Sequence, residues 1–227
     1  PATVTTGVGN STTSPVTVTV GSLNSFNASV GLTCSGQPAG VTCNFTPASV
    51  TTVANGNTTS SLSIGATSSV VPGNYSLTVT GSWSTVTHSA TLSLTVNDYS
   101  VALSPATGTV VVGNSANTTV TVTSLNAFAS AVGLSCQVPN GNISCSFSPS
   151  PITPVAGGVV TSTLTLLTTG SITTGNYTVT VTGTTAGQVR SAVYTLTVND
   201  FSVAVSPVSA NTIAGNGATT GVTVTSL

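Results

Sequence analysis

The sequence predicts an all-β protein in which antiparallel β-sandwich domains follow one another in tandem. The first observation is a repeat, because residues 22–97 match residues 124–199 without a gap and every match is 102 positions apart. Self-similarity at a fixed spacing indicates that one structural unit has been copied. The second observation is composition, since the abundant Thr, Ser, Val, Gly and Asn are typical of strands and turns.

The individual strands are predicted from the alternation of apolar and polar residues, because successive side chains of a strand point to opposite faces. Val16, Val18 and Val20 form the first alternation. Further strands are predicted at 29–35, 41–46, 59–64, 75–81 and 90–96, with Gly, Pro and Asn turn signals between them. About seven short strands per hundred residues describe an antiparallel sandwich. No segment shows a helical period.

Each repeat contains one pair of cysteines, Cys34 with Cys43 and Cys136 with Cys145. Of the three connectivities that four cysteines allow, only this one is local and repeats with the period, so we predict one disulfide in each domain. Each cysteine shares a face with apolar neighbours, so the bond is expected to join two strands on the core side. Two buried free thiols per domain are the alternative. Disulfides indicate an oxidising, extracellular setting.

Charged residues form only 1 % of the chain and are limited to Asp98, Asp200 and Arg190, with His88 as the single imidazole. A net charge of −1 excludes a strong electrostatic attraction to nucleic acid or to anionic lipid. No apolar run reaches about 18 residues, so no membrane span is predicted. His88 and Arg190 occupy equivalent positions of the two repeats, and we interpret that position as solvent-facing.

The scarcity of ionisable groups also predicts that this segment is not an enzyme and uses no cofactor. A hydrolase triad needs a base and an orienting acid beside its nucleophile. Glycoside hydrolysis needs two carboxylates within roughly 5–10 Å, and each repeat has one Asp. Structural zinc needs four Cys or His ligands, so no metal site is expected.

Short motifs give the chain a resemblance to a known family. Gly73-Asn74-Tyr75 opens an alternating strand and returns one repeat later. Cys43-x-Phe45-x-Pro47 returns in the same way, and each repeat ends in Val-Asn-Asp, an aromatic residue and Ser. These motifs resemble the tandem immunoglobulin-like (Ig-like) repeats of secreted surface proteins of bacteria and archaea. The resemblance covers nearly the whole chain and implies Ig-like domains that act as stalks, spacers or fibre units.

Two features depart from the antibody pattern. The cysteines of a pair lie in neighbouring segments, so we do not expect them to bridge the two sheets around a Trp. Trp83 has Thr185 at its equivalent position, and we predict that it is exposed or lies at an interface. Tyr75 and Tyr177 are placed to form tyrosine corners, with core packing without that hydrogen bond as the alternative.

The repeats join without a Gly/Ser or Pro-rich linker, because the last strand of one passes through Asn97-Asp98 into the next. Asn199-Asp200 repeats the arrangement. So short a junction predicts a defined orientation between neighbours, as in a rod. Calcium takes six to eight oxygen ligands, and one Asp per joint is too few. A capping or turn role is favoured for both Asp residues.

These joints divide the chain into three parts. Residues 1–97 are predicted to form a first Ig-like domain whose first strand is missing from the chain, and residues 98–199 a second domain. Residues 200–227 would supply the first strands of a third repeat or a donor-strand tail. The tail contains a second strand that a pure donor would not need, which favours an excerpt from a longer array. The strand-exchange candidates are Phe201, Val203 and Val205.

Eight Asn-x-Ser/Thr sequons are candidate N-glycosylation sites, and glycans would help to solubilise a surface with few charges. They are Asn10, Asn27, Asn44, Asn57, Asn74, Asn117, Asn142 and Asn176.

Together these patterns predict a structural extracellular protein of the cell surface, a repeat unit or segment of a fibre built from stacked Ig-like domains. Sheets with almost no charge leave their edge strands open to pairing, so self-association end to end or by strand addition is the expected partnership. The alternative is a passive spacer, or a carbohydrate-binding or adhesive module, of a larger secreted protein. Sugar sites on β-sandwiches need several exposed aromatics, and aromatic residues are only 4 % of the chain.

Overall fold

The computed structural model describes residues 2–12, 14–139 and 141–227, and the described residues form seventeen strands and no helix. The strands are β1 (Ala2–Gly7), β2 (Val16–Gly21), β3 (Ser29–Ser35), β4 (Val41–Thr46), β5 (Ser49–Thr51), β6 (Asn57–Ala66), β7 (Gly73–Trp83), β8 (Val86–Ser104), β9 (Thr107–Val111), β10 (Ser115–Leu125), β11 (Gly133–Gln137), β12 (Ile143–Ser148), β13 (Val159–Thr168), β14 (Gly175–Thr185), β15 (Gln188–Asn199), β16 (Phe201–Ser206) and β17 (Gly221–Ser226).

These strands form two sandwiches and a hairpin. In the first unit, a sheet ordered β5-β3-β7-β8, with β1 added in parallel on β8, packs on a sheet ordered β2-β6-β4. In the second unit, β11-β14-β15-β9 packs on the sheet β8-β10-β13-β12. The tail hairpin consists of β16 and β17. The predicted fold class, an all-β tandem of Ig-like antiparallel sandwiches with one disulfide each, is confirmed.

Each unit has a hydrophobic core of its own, which forms because alternate residues of facing strands point between the sheets. Leu62, Ile64 and Leu94 are fully buried in the first core. Leu164, Leu166 and Leu196, their counterparts one repeat later, are buried in the second. A third cluster lies in the second unit around Tyr99 and Phe128.

The disulfides connect Cys34 with Cys43 and Cys136 with Cys145, as predicted. The expectation that they would not bridge the sheets is wrong. Cys34 lies on β3, which pairs with β7 in one sheet, whereas Cys43 lies on β4, which pairs with β6 in the other. The intervening loop therefore crosses between sheets, and each bond closes one edge of its sandwich from the core side.

The two units share strand β8. Its first part pairs with β7, from Val86 opposite Trp83 to Val96 opposite Gly73. Its last part, from Asp98 onwards, pairs with β10 of the second unit. One unbroken strand thus leaves the first sandwich and enters the second without a linker.

Two details of the strands bear on the predictions. The Tyr75 hydroxyl donates to the Val71 carbonyl at 2.7 Å, and the Tyr177 hydroxyl donates to the Thr173 carbonyl at 2.8 Å. The predicted tyrosine corners are therefore confirmed. Strands β1 and β9 were not predicted, because their parallel partners β8 and β15 are distant in sequence.

Candidate assembly interface

The joint contains the one ion pair in the described part of the chain. Arg190 on β15 donates from Nη2 to the Asp98 Oδ2 at 2.6 Å and from Nε to the same oxygen at 3.2 Å. The Asp98 Oδ1 accepts the backbone N–H of Tyr99 at 2.8 Å. The side chain therefore caps the N–H of its neighbour, but Asp98 lies within strand β8 and not in a turn, and it is only 7 % exposed. The expectation that Arg190 merely faces solvent is wrong, because its guanidinium neutralises a buried carboxylate.

Tyr99 follows Asp98 and is completely buried in the second unit. Its hydroxyl lies 2.7 Å from the Gly183 carbonyl and 3.1 Å from the Gln188 carbonyl and donates to both. Its ring packs on Phe128, with ring centroids 4.9 Å apart. Burial raises the pKa of Tyr99, and the nearby Arg190 charge opposes that shift more weakly. The Tyr99 side chain is therefore uncharged, and its contacts hold the last part of β8 in the second unit.

Three amide side chains connect the two units across the joint. Asn10 donates to the Ala186 carbonyl at 2.7 Å, and Asn126 donates to the Val96 carbonyl at 2.8 Å. Gln188, which is buried, donates to the Asn97 carbonyl at 3.1 Å. Each of these bonds joins residues far apart in sequence, so together they fix the orientation of one sandwich on the other.

Close backbone approach accompanies these bonds. A Cβ atom on Gly7 would lie 2.9 Å from the Gln188 Cδ. Gly187 has a φ of +81°, and a Cβ there would overlap the Asn10 side chain. The joint is thus a packed contact in which these glycines admit the neighbouring amide side chains.

The predicted junction residues occupy equivalent places at the two joints. The Asn97 carbonyl accepts the Val8 N–H, and the Asn199 carbonyl accepts the Val112 N–H, both at 3.0 Å. Asp200 accepts the backbone N–H of Phe201 at 2.8 Å, as Asp98 does from Tyr99.

The amide side chains that bind across the joint were not predicted from the sequence. The repeat singles out Asn126 only weakly, because Ser-Leu-Asn occurs at 22–24 and again at 124–126. It does not single out Gln188, because the counterpart of that residue in the first unit is the exposed Val86.

The first unit contains an open apolar cleft of about 510 Å³ along the free edge of β2. Among the described residues, β2 pairs only with β6, whereas its counterpart β10 pairs with both β13 and β8. The cleft is lined by, among others, Val18, Val20, Phe26, Val30, Leu32 and Gly81. In the second unit the equivalent space is occupied by the last part of β8. The cleft therefore lies at the place that the last part of β8 occupies in the second unit.

Trp83 lies at the mouth of this cleft. It is 45 % exposed, and its ring meets that of Phe26 edge to face, with centroids 5.2 Å apart. The expectation of an exposed or interface residue is confirmed. His88, the counterpart of Arg190, lines the same cleft and is exposed.

The tail hairpin presents the strand-exchange candidates Phe201, Val203 and Val205 to solvent. Phe201 is 60 % exposed, in contrast to its fully buried counterpart Tyr99. The hairpin's backbone bonds are internal, including the pair of bonds between Asp200 and Leu227.

The sequons differ in how freely they meet solvent. The exposed ones are Asn27, Asn44, Asn57, Asn74, Asn117 and Asn176, and the half-buried ones are Asn10 and Asn142. The Asn10 amide already bonds across the joint, so a glycan there would compete with the contact between the units.

No group of three or more His, Cys, Asp or Glu residues that would suit a metal ion occurs within residues 2–12, 14–139 and 141–227. Over the same described residues, no helix has the length and apolar character to cross a membrane.

No protein-family model and no curated protein sequence matches this chain. Among solved structures, one named BspA_C_WT is 8 % identical over 86 % of this chain and 96 % of its own, with a TM-score of 0.51. Domains 4 and 5 of the S-layer protein SbsC are 17 % identical over 57 % of this chain, with a TM-score of 0.34. A titin I-band fragment is 12 % identical over 100 % of this chain and 84 % of its own, with a TM-score of 0.40.

The likeness to BspA_C_WT supports the fold alone, since its identity is so low. The SbsC and titin likenesses are too weak to carry an argument. The chain spans 66 % of the length of the SbsC fragment. The case for a function therefore depends on the joint and the cleft.

Proposed function

We propose that this chain is a structural segment of an extracellular surface fibre, in which Ig-like sandwiches are stacked end to end through rigid joints. In this proposal, residues 1–97 and 98–199 are the repeating domains, and residues 200–227 begin a third repeat. The sulfur bridge of each domain suits an oxidising extracellular space.

The observation that carries the proposal is the unbroken strand β8, which belongs to both sandwiches. A flexible linker would let neighbouring domains move independently. Here the Asn10, Asn126 and Gln188 amides bind backbone carbonyls across the boundary. A joint of this kind transmits force and orientation along a chain of domains, which a fibre requires.

The surface supports self-association. With one Arg and two Asp in the chain, the sheet edges lack the charged side chains that usually block pairing with another molecule. We therefore propose that the chain associates with further copies of itself and that glycans are attached at the exposed sequons.

Negative-stain microscopy of the purified chain over a range of concentrations tests this function. Ordered filaments or stacked rods support a fibre segment. Monodisperse short rods at all concentrations, together with binding to a panel of immobilised oligosaccharides, would instead identify a spacer or adhesive module.

A further inference from the structure

A cavity lies at the joint, between the two sandwiches. Its volume is about 440 Å³, within the range of roughly 300–1,000 Å³ that is usual for small-molecule sites. The first unit supplies one wall, from the end of β1 and the segment that follows it, and the second unit supplies the other, from the loop after β10 and the turn between β14 and β15. We call it the joint cavity. The lining residues with free polar groups are Thr5, Ser11, Ser130, Thr185 and Gln188.

Gln188 places an unused hydrogen-bond acceptor in the joint cavity. The residue is only 3 % exposed. Its Nε2 donates to the Asn97 carbonyl at 3.1 Å and to the Asp98 Oδ1 at 3.4 Å, and these two acceptors fix which end of the amide carries the oxygen. No described residue donates to Oε1. Among the described side chains, the Ser162 hydroxyl alone is both closed off from solvent and without a partner, so the Gln188 Oε1 is open to the cavity that this residue lines.

Four hydroxyl groups around the same cavity are also free of protein partners. Thr5 and Ser11 supply two of them from the first unit, and Ser130 and Thr185 supply two from the second. None of these four side chains makes a hydrogen bond to another described residue. A hydroxyl can donate one hydrogen bond and accept others. Both sandwiches therefore offer groups that donate and accept, beside one acceptor that requires a donor.

The lining of the joint cavity carries no charge. Asp98 and Arg190 neutralise each other in their ion pair, and neither lines the cavity. Without a free cationic side chain the cavity is unsuited to phosphate or carboxylate groups, and without carboxylates it is unsuited to a divalent cation. The one aromatic residue of the lining, Phe128, is only 2 % exposed, so a flat aromatic ligand would find little surface for stacking. The chemistry that remains is a neutral ligand with several hydroxyl groups.

We propose that the joint cavity binds a neutral sugar unit, whose hydroxyl groups pair with the Gln188 Oε1 and with the free hydroxyls of both sandwiches. A sugar ring presents neighbouring hydroxyls that each donate and accept, and one of them satisfies the acceptor that the protein leaves open. Recognition by hydrogen bonds in a cavity does not require the exposed aromatic residues of sugar sites on sheet faces. This site goes beyond the proposed fibre function, because it belongs to a single joint and does not depend on self-association.

Titration of the ¹⁵N-labelled chain with glucose, mannose, galactose and N-acetylglucosamine tests the site. Each sugar is added up to about 20 mM, which detects dissociation constants in the millimolar range. At least one sugar should shift the amide resonances of residues that line the cavity, such as Ser130 and Thr185. Absence of a shift with all four sugars would overturn the proposal.

Two double variants locate the binding. S130A/T185V removes two of the free hydroxyls and should weaken binding of that sugar about 10-fold or more. The matched control is T178V/S191A, which removes two exposed hydroxyls of β14 and β15 that lie outside the cavity, and it should bind as the unmodified chain does. Equal binding by both variants would place the sugar elsewhere on the surface and overturn the site.

The contribution of both units is tested by inserting four glycines between Asn97 and Asp98. The insertion separates the two walls of the cavity, whereas each sandwich keeps its own core. We expect it to abolish binding at the same sugar concentrations. Binding that survives the insertion would overturn a site shared by the two units.

Two further probes define the ligand. Tighter binding of glucuronate than of glucose would overturn the assignment of a neutral ligand. Methyl glycosides distinguish the source of the sugar, because a site for a unit within a polysaccharide binds the methyl glycoside as well as the free sugar, whereas a site for a free monosaccharide binds it more weakly. Either result supports the site. Filament formation is measured separately by microscopy, so failure of the sugar site leaves the fibre function standing, and the reverse also holds.

Discussion

The carboxylate of Asp98 and the guanidinium of Arg190 meet at 2.6 Å at the joint between the two sandwiches. These are two of the three formally charged side chains in the chain. The Asp98 carboxylate is nearly buried, and it also receives the Tyr99 N–H. The one ion pair among the described residues therefore lies where the second sandwich begins.

We expect R190Q to destabilise the second unit by about 2–3 kcal/mol, because it leaves the Asp98 carboxylate buried without a counterion. The value is set below that of a fully buried pair because the Arg190 side chain is 28 % exposed. Urea unfolding measures the loss. H88Q, at the equivalent exposed position, is the matched control and should change stability by less than about 0.5 kcal/mol. A loss for R190Q as small as that of H88Q would contradict a structural role for the pair.

Y99F should lower the free energy of unfolding by about 1 kcal/mol. The substitution keeps the ring against Phe128 but removes the donor to the Gly183 and Gln188 carbonyls. Thermal unfolding measures the effect. A variant as stable as the unmodified chain would mean that the hydroxyl does not anchor the strand.

Stability should fall in alkaline solution. Burial raises the pKa of Tyr99 and of Tyr194 above the ordinary tyrosine value of 10.0. Below pH 10 both phenols are neutral in the folded and unfolded states, and their contribution to stability is fully present. Above pH 10 the unfolded chain releases these protons first, so stability declines as pH rises towards the folded-state pKa. Melting temperatures at pH 9 and 11 measure the slope, which should be smaller for Y99F/Y194F. An unchanged melting temperature at pH 11 would contradict the burial of both phenols.

Removal of either disulfide should cost about 2–3 kcal/mol, because each bond closes a short loop between cysteines nine residues apart. The test is chemical unfolding of C34A/C43A and of C136A/C145A. The two losses should be similar, since both bonds join the sheets at the same edge of their sandwich. Loss of one pair without any effect would show that its sheets are held by packing alone.

The sequence predicted the local features of the fold well. Alternation placed β3 at 29–35 and β4 at 41–46 with the bounds that the structure has. The period predicted the disulfide pairing. Alternation shows which residues share a face but not which sheet a strand joins, and for that reason the crossing between β3 and β4 was missed.

Contacts between distant residues were harder to predict. Asp98 and Arg190 are separated by 92 positions, and the chain offers no local pattern that joins them. The Gln188 contact could not be predicted from the repeat, because the first repeat has Val86 at the equivalent position. The cleft of the first unit was foreseen only as a missing strand, because its walls come from β2, β3, β7 and β8 together.

The central claim is that β8 and the amides around it make the two sandwiches one rigid body. Backbone ¹⁵N relaxation tests this directly, under conditions in which the chain is monomeric. We expect amides of β6 in the first unit and of β13 in the second to fit one common rotational diffusion tensor. A variant with four glycines inserted between Asn97 and Asp98 should instead show two independently tumbling units. Independent tumbling of the two sandwiches in the unmodified chain would contradict the account.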